Sequence, residues 1–147
     1  MPIKNYTTTI SVEKSVMEIQ KALAKHKARA ILTEYDGDGV LTHLAFQIET
    51  VSGRIPFRLP AQVDRVYVCL QRSKVPRKLK TREQAARVAW RVIKDWVMAQ
   101  LAIVEADMVD MVEVFLPYAQ DSEGETIYTR FIEAPQRLLK APRSTPP

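Results

Sequence analysis

The sequence predicts an α+β domain: an antiparallel sheet of four to five strands packed by helices, with one long amphipathic helix in the C-terminal half. Three observations predict it. The four glycines, Gly37, Gly39, Gly53 and Gly124, each interrupt runs of strand-forming residues, where a reversal needs a tight turn. Between two of them, Val40, Leu44, Phe46 and Ile48 alternate with His43, Gln47 and Glu49, the period of a half-buried strand. After Thr81 no Gly or Pro appears before Pro117, and apolar residues recur at helical spacing.

The elements follow in order. A short Thr-rich strand is expected over residues 6–10. Ser11 then N-caps a helix carrying Val12, Val16, Ile19 and Leu23 on one side. Residues 29–35, 40–51 and 54–59 read as a three-stranded meander. Pro56 lacks the N–H that a ladder bond needs, which puts the third strand at an edge. Pro60 opens a shorter helix with Val63, Val66, Tyr67 and Leu70 on one face. The segment KVPRKLK, 74–80, is expected to be a flexible basic linker, since Pro76 disfavours helix before it.

Thr81 with Gln84 three residues on is a capping-box pattern, opening a helix over residues 82–107. Its apolar surface is wider than one contact needs, so Trp90, Trp96, Val97 and Leu101 are expected to form a homo-oligomer interface. A last strand is expected over 126–132. Residues 1–133 are expected to form one domain and 134–147 a Pro-rich flexible tail.

Composition narrows the classes. The 147 residues are 46% hydrophobic and 27% charged, a globular balance. The longest near-apolar run, 96–104, is far short of the ~20 residues of a membrane-spanning helix. The start of the chain lacks an apolar signal region, and a single cysteine, Cys69, allows neither an internal disulfide nor a paired-cysteine zinc site. A cytoplasmic protein is expected on these grounds.

Net charge is +5, but its distribution says more. Residues 72–94 hold nine bases and one acid, whereas 95–133 hold nine acids and one base. On the long helix, Arg87, Arg91 and Lys94 share a narrow stripe. Arg72, Lys74, Arg77, Lys78, Lys80 and Arg82 precede it. Several cations on one surface suit a phosphate backbone, because counterion release rewards neutralising many phosphates together. These nine residues are therefore the expected nucleic-acid or phosphate site.

Other chemistry is poorly supported. Glu105, Asp107, Asp110 and Glu113 match no metal-loop spacing, and Asp36 and Asp38 sit where a turn uses Asp for its own backbone bonds. His26 and His43 have no cysteine or histidine at ligand spacing, and no Gly-rich phosphate loop occurs. No catalytic residue, metal or cofactor is expected, and the chain reads as a non-enzyme.

The strings KNYTTTISVEKSVMEIQKALAKH, YDGDG and TREQAARVAWRVIKDWVMAQLAIVEADMVDMVEVFLPY together resemble small uncharacterised proteins of bacteriophages, prophages and bacterial mobile elements. The resemblance implies an accessory role in a bacterial host cell and carries no catalytic residues. The expected function is binding of nucleic acid or a nucleoprotein complex through the basic helix face. The alternative is a phage-encoded inhibitor of host defence, binding a defence protein or sequestering a nucleotide signal.

Overall fold

The computed structural model describes residues 1–139. Ser11 accepts the amide of Lys14 at 3.1 Å and so starts α1, Val12–Lys25, which buries Val16, Ile19 and Leu23. A left-handed residue, Lys27, turns the chain into the meander β1, Ala28–Tyr35, β2, Leu41–Thr50, and β3, Gly53–Arg58. The three strands pair antiparallel in sequence order, with Phe46 opposite Phe57. The β1–β2 turn is built by Asp36, whose Oδ1 accepts the amides of Asp38 and Val40 at 2.9 and 3.0 Å. Gly39 follows at φ +77°, where a side chain would be strained.

After the sheet come α2, Val63–Arg72, a 3-10 turn, Arg77–Leu79, and α3, Arg82–Glu105. Thr81 caps α3 by accepting the Gln84 amide at 3.0 Å. The expected capping box is only half made, because the Gln84 side chain points elsewhere. Asp107 at φ +58° ends α3 in the place usually taken by glycine: its amide bonds Val104 O, and that of Met108 bonds Ile103 O. Two short helices complete the described chain, α4, Met111–Phe115, and α5, Ile127–Glu133. No described helix is long and apolar enough to cross a membrane.

The sheet has three strands, not four or five. Residues 6–10 form no strand, because the carbonyls of Tyr6 and Thr8 are taken by the Gln84 amide at 2.9 and 3.0 Å. Gln84 is itself buried, so this one side chain ties the N-terminus to α3. Residues 126–132 also form no strand. Thr126 accepts the Thr129 amide and caps α5 instead of extending. Strand pairing there shrinks to two single bridges, Phe57 with Ala119 and Gln120 with Thr126. Pro56, on the edge strand as expected, still accepts the Gln120 amide through its carbonyl at 2.8 Å. The tail that begins at 134 passes, from residue 140 on, outside the described residues.

One face of the sheet and α1 meet α3 in the main core. Phe46 stacks on Phe57, Phe115 meets Phe46 edge-on, and Trp96 meets Phe115 edge-on. A second cluster joins α2 to α3 through Val63, Leu70, Ala85, Ala86 and Ala89. The wide apolar surface of α3 is thus covered twice within one chain, by the sheet with α1 and by α2. Trp90, Val97 and Leu101 are at most 3% exposed inside that chain, and Trp90 Nε1 donates to Leu41 O at 2.8 Å. Half-buried Trp96 packs on Phe115 and Tyr118. These four residues, expected at an oligomer interface, have their partners within the same chain.

Candidate nucleic-acid interface

The nine expected binding residues separate into two groups with different surroundings. The first lies on α3. Arg82 Nη2 is 2.6 Å from Asp36 Oδ2, its Nε is 3.0 Å from Asp64 Oδ1, and its Nη1 is 3.6 Å from Asp38 Oδ2. This guanidinium closes the β1–β2 turn against the first turn of α2. It holds the Asp36 carboxyl below the usual carboxylate range, with the Val40 amide adding to the effect.

Further along α3, Arg91 reaches Glu18 Oε2 at 3.2 Å and Ser15 Oγ at 3.3 Å. Lys94 reaches the same Glu18 oxygen at 3.5 Å and Asp95 at 3.7 Å. The two side chains are only 15% and 19% exposed. They face α1, not solvent. Arg87 has no carboxylate within ion-pair distance among the described residues, but its Nε is spent on Gln84 Oε1 at 2.8 Å. The stripe is therefore an internal seam that fastens α1 and the N-terminus to α3.

The second group lies between α2 and α3. Arg72, Lys74, Arg77 and Lys78 are exposed, and among the described residues none forms an ion pair. The segment that carries them is not a loose linker. Gln71 Nε2 donates to Lys80 O at 3.0 Å and Lys80 Nζ donates to Gln71 O at 3.3 Å, closing the segment at its base. Ser73 ends α2 by donating through its hydroxyl to Cys69 O at 2.7 Å, and Val75 is buried beneath the turn. The cations are thus held on a fixed scaffold. Lys80 serves as a clasp and is half-buried.

Arg65, exposed and with its Nε on Gln62 Oε1 at 3.2 Å, extends this surface and escaped the sequence reading, which followed the density of charge and not helical phase. It stands seven residues before Arg72, two turns along the same face of α2. Both line an open groove of about 610 Å³ with Val68, half-buried Cys69 and Ser73. Asp64 at one end of the groove is occupied by Arg82.

The acids of the other half are largely accounted for. Arg130 gathers Asp121, Glu123 and Glu133, and it holds the Asp121 carboxyl below its usual range. Asp110 and Glu113 make a reciprocal capping box on α4. Glu105 accepts from His26 Nε2 at 3.0 Å while His26 Nδ1 lies 2.8 Å from Ala22 O, joining the ends of α1 and α3. Among the described residues no three His, Cys, Asp or Glu side chains are grouped to hold a metal ion. The chain matches no protein-family model, no curated protein and no solved structure.

Proposed function

We propose that this chain is a non-enzymatic accessory protein of a mobile element. It engages nucleic acid through the exposed cations of the α2–α3 segment: Arg65, Arg72, Lys74, Arg77 and Lys78. The observation that carries this reading is the division of partners: these five cations form no ion pair among the described residues, whereas Arg82, Arg91 and Lys94 are neutralised within the chain. The mobile-element part rests on the sequence resemblance.

A fixed loop with unpaired cations meets a phosphate backbone without first ordering itself or giving up an internal ion pair. Two arginines can take phosphate oxygens in a fork from one helix face, while the lysines contribute point charges. Contacts made by these cations to phosphate carry no sequence information, so the interaction tolerates sequence.

Fluorescence anisotropy with labelled duplex and single-stranded DNA and RNA across a salt series tests this. Affinity should fall as salt rises, with a log–log slope no steeper than about −4.5 on B-DNA for five neutralised phosphates. Absence of binding at low salt, or binding insensitive to salt, would refute the proposal.

A further inference from the structure

Where the third strand leads into α2, the edge of the sheet carries a second concave site. Gln120 N bonds Pro56 O, and Ile127 N bonds Ala119 O at 2.8 Å, folding residues 117–129 back along the edge of β3. The start of α5 is left standing over the sheet. Between them lies an open cleft of about 670 Å³ whose lining includes His43, Arg58, Tyr118, Glu125, Tyr128 and Thr129. That volume is in the range of small-molecule sites. His43 and Arg58 share its floor because Arg58 pairs with Ala45, two residues from His43, which puts both on one face of the sheet.

Arg58 is half-buried, yet among the described residues it has neither an ion pair nor a side-chain hydrogen bond. Arg29, Arg82, Arg91 and Arg130 each have a carboxylate. A guanidinium with no carboxylate partner, its nitrogens still open to the cleft, is ready for an anion. His43 beside it adds hydrogen-bonding capacity and not charge: burial, then the nearby Arg58, hold its pKa below the ordinary histidine value, against a smaller opposing pull from Glu34. Its Nδ1 is already in contact with the Thr42 hydroxyl at 3.0 Å, which leaves Nε2 for a ligand.

The charge inventory limits the ligand. One guanidinium faces Glu125 on the cleft wall, and Glu34 lies across the strand from His43. Arg58 offers an ion-pair partner for one negative charge, and with these carboxylates nearby an anion carrying several charges would be repelled. The aromatic rings supply the other half of the recognition. Trp96 holds Tyr118 edge-on with ring centres 5.4 Å apart, fixing one wall, and Tyr128 is 58% exposed.

We propose that this cleft binds a small, singly charged organic anion bearing a planar ring, with the anionic group on Arg58 and His43 and the ring against the tyrosines. Cyclic nucleoside monophosphates and aromatic carboxylates both have this chemistry. The cleft takes nothing from Lys74, Arg77 or Lys78, and Arg65 reaches only its rim, where Gln62 Oε1 accepts from Arg65 Nε at 3.2 Å.

Calorimetric titration of the full chain with cyclic AMP, cyclic GMP, 4-hydroxybenzoate and ATP tests it. At least one of the three monoanions should saturate, and which of them does so separates a nucleotide ligand from a carboxylate. ATP should bind more weakly than the monoanion. Arg58→Gln should weaken binding by about tenfold or more, the scale of a lost charged hydrogen bond. Tyr128→Ala, at an exposed position that the fold does not need, should also weaken it. A Lys74→Glu/Arg77→Glu/Lys78→Glu variant should bind as the parent does. The proposal is overturned if no monoanion saturates at millimolar concentration, if ATP binds more tightly, if Arg58→Gln and Tyr128→Ala leave binding unchanged, or if the triple variant abolishes it.

Discussion

Residues 72–78 and residues 82–94 are neighbours in sequence, hold four cations each, and are differently employed. Three of the four α3 cations, Arg82, Arg91 and Lys94, meet Glu18, Asp36 and Asp64, carboxylates that the fold delivers from 18 to 76 positions away. The cations of the α2–α3 segment meet none. A half-buried ion pair joins elements of one chain and is unavailable to a partner without a desolvated acid being left behind. An exposed, unpaired cluster on a braced turn has no such competitor. Basic density is therefore a poor guide to a binding surface until the acids that fold against it are known.

Three substitutions sharpen this contrast, each read by denaturant unfolding. The largest effect belongs to the core side of α3. Trp90→Ala removes a fully buried ring and its bond to Leu41 O, and should cost about 3–5 kcal/mol. A loss below about 1 kcal/mol would mean that α3 is not the spine of the fold. Next comes Glu18→Gln, which strips the shared carboxylate from Arg91 and Lys94. It should cost about 1–2 kcal/mol by leaving two poorly solvated cations, while nucleic-acid affinity stays the same or rises.

The smallest effect is the pH dependence of the Arg82 knot. The folded pKa of Asp36 lies below its unfolded value, so its contribution is complete above about pH 4 and is lost as pH falls through the folded value. Asp36→Asn should flatten the acid limb of the stability profile and leave the profile above pH 5 parallel to the parent's. An unchanged acid limb would show that the ion pair contributes nothing.

Much of the fold was legible because it rests on local rules. Ser11 and Thr81 act as caps, Asp36 and Gly39 build the first hairpin turn, and the alternation about Phe46 marks the buried strand face. The misread segments are those where one residue type serves two structures. Thr126 begins a plausible strand pattern and is equally a helix cap, and the choice follows from Thr129 lying within reach. The run Tyr6 to Ile10 has strand-forming side chains, but Gln84 takes the carbonyls a ladder would use. The site was less legible for a related reason. Arg87, Arg91 and Lys94 share a helical stripe, which the spacing gives correctly. That the stripe faces Glu18 and not solvent depends on how α1 docks, which no local pattern encodes. His43, Arg58, Tyr118 and Tyr128 lie too far apart in the chain to form a motif.

The most direct test compares salt-dependent nucleic-acid affinity in two variants of this chain. Lys74→Glu/Arg77→Glu/Lys78→Glu changes only exposed, unpaired side chains, so its stability should stay within about 0.5 kcal/mol of the parent. Arg91→Gln/Lys94→Gln removes the cations that face α1. The account predicts that the first variant loses binding, while the second keeps the parent's affinity and salt slope despite a lower stability. Binding retained by the first and lost by a folded second variant would return the interface to α3 and contradict the account.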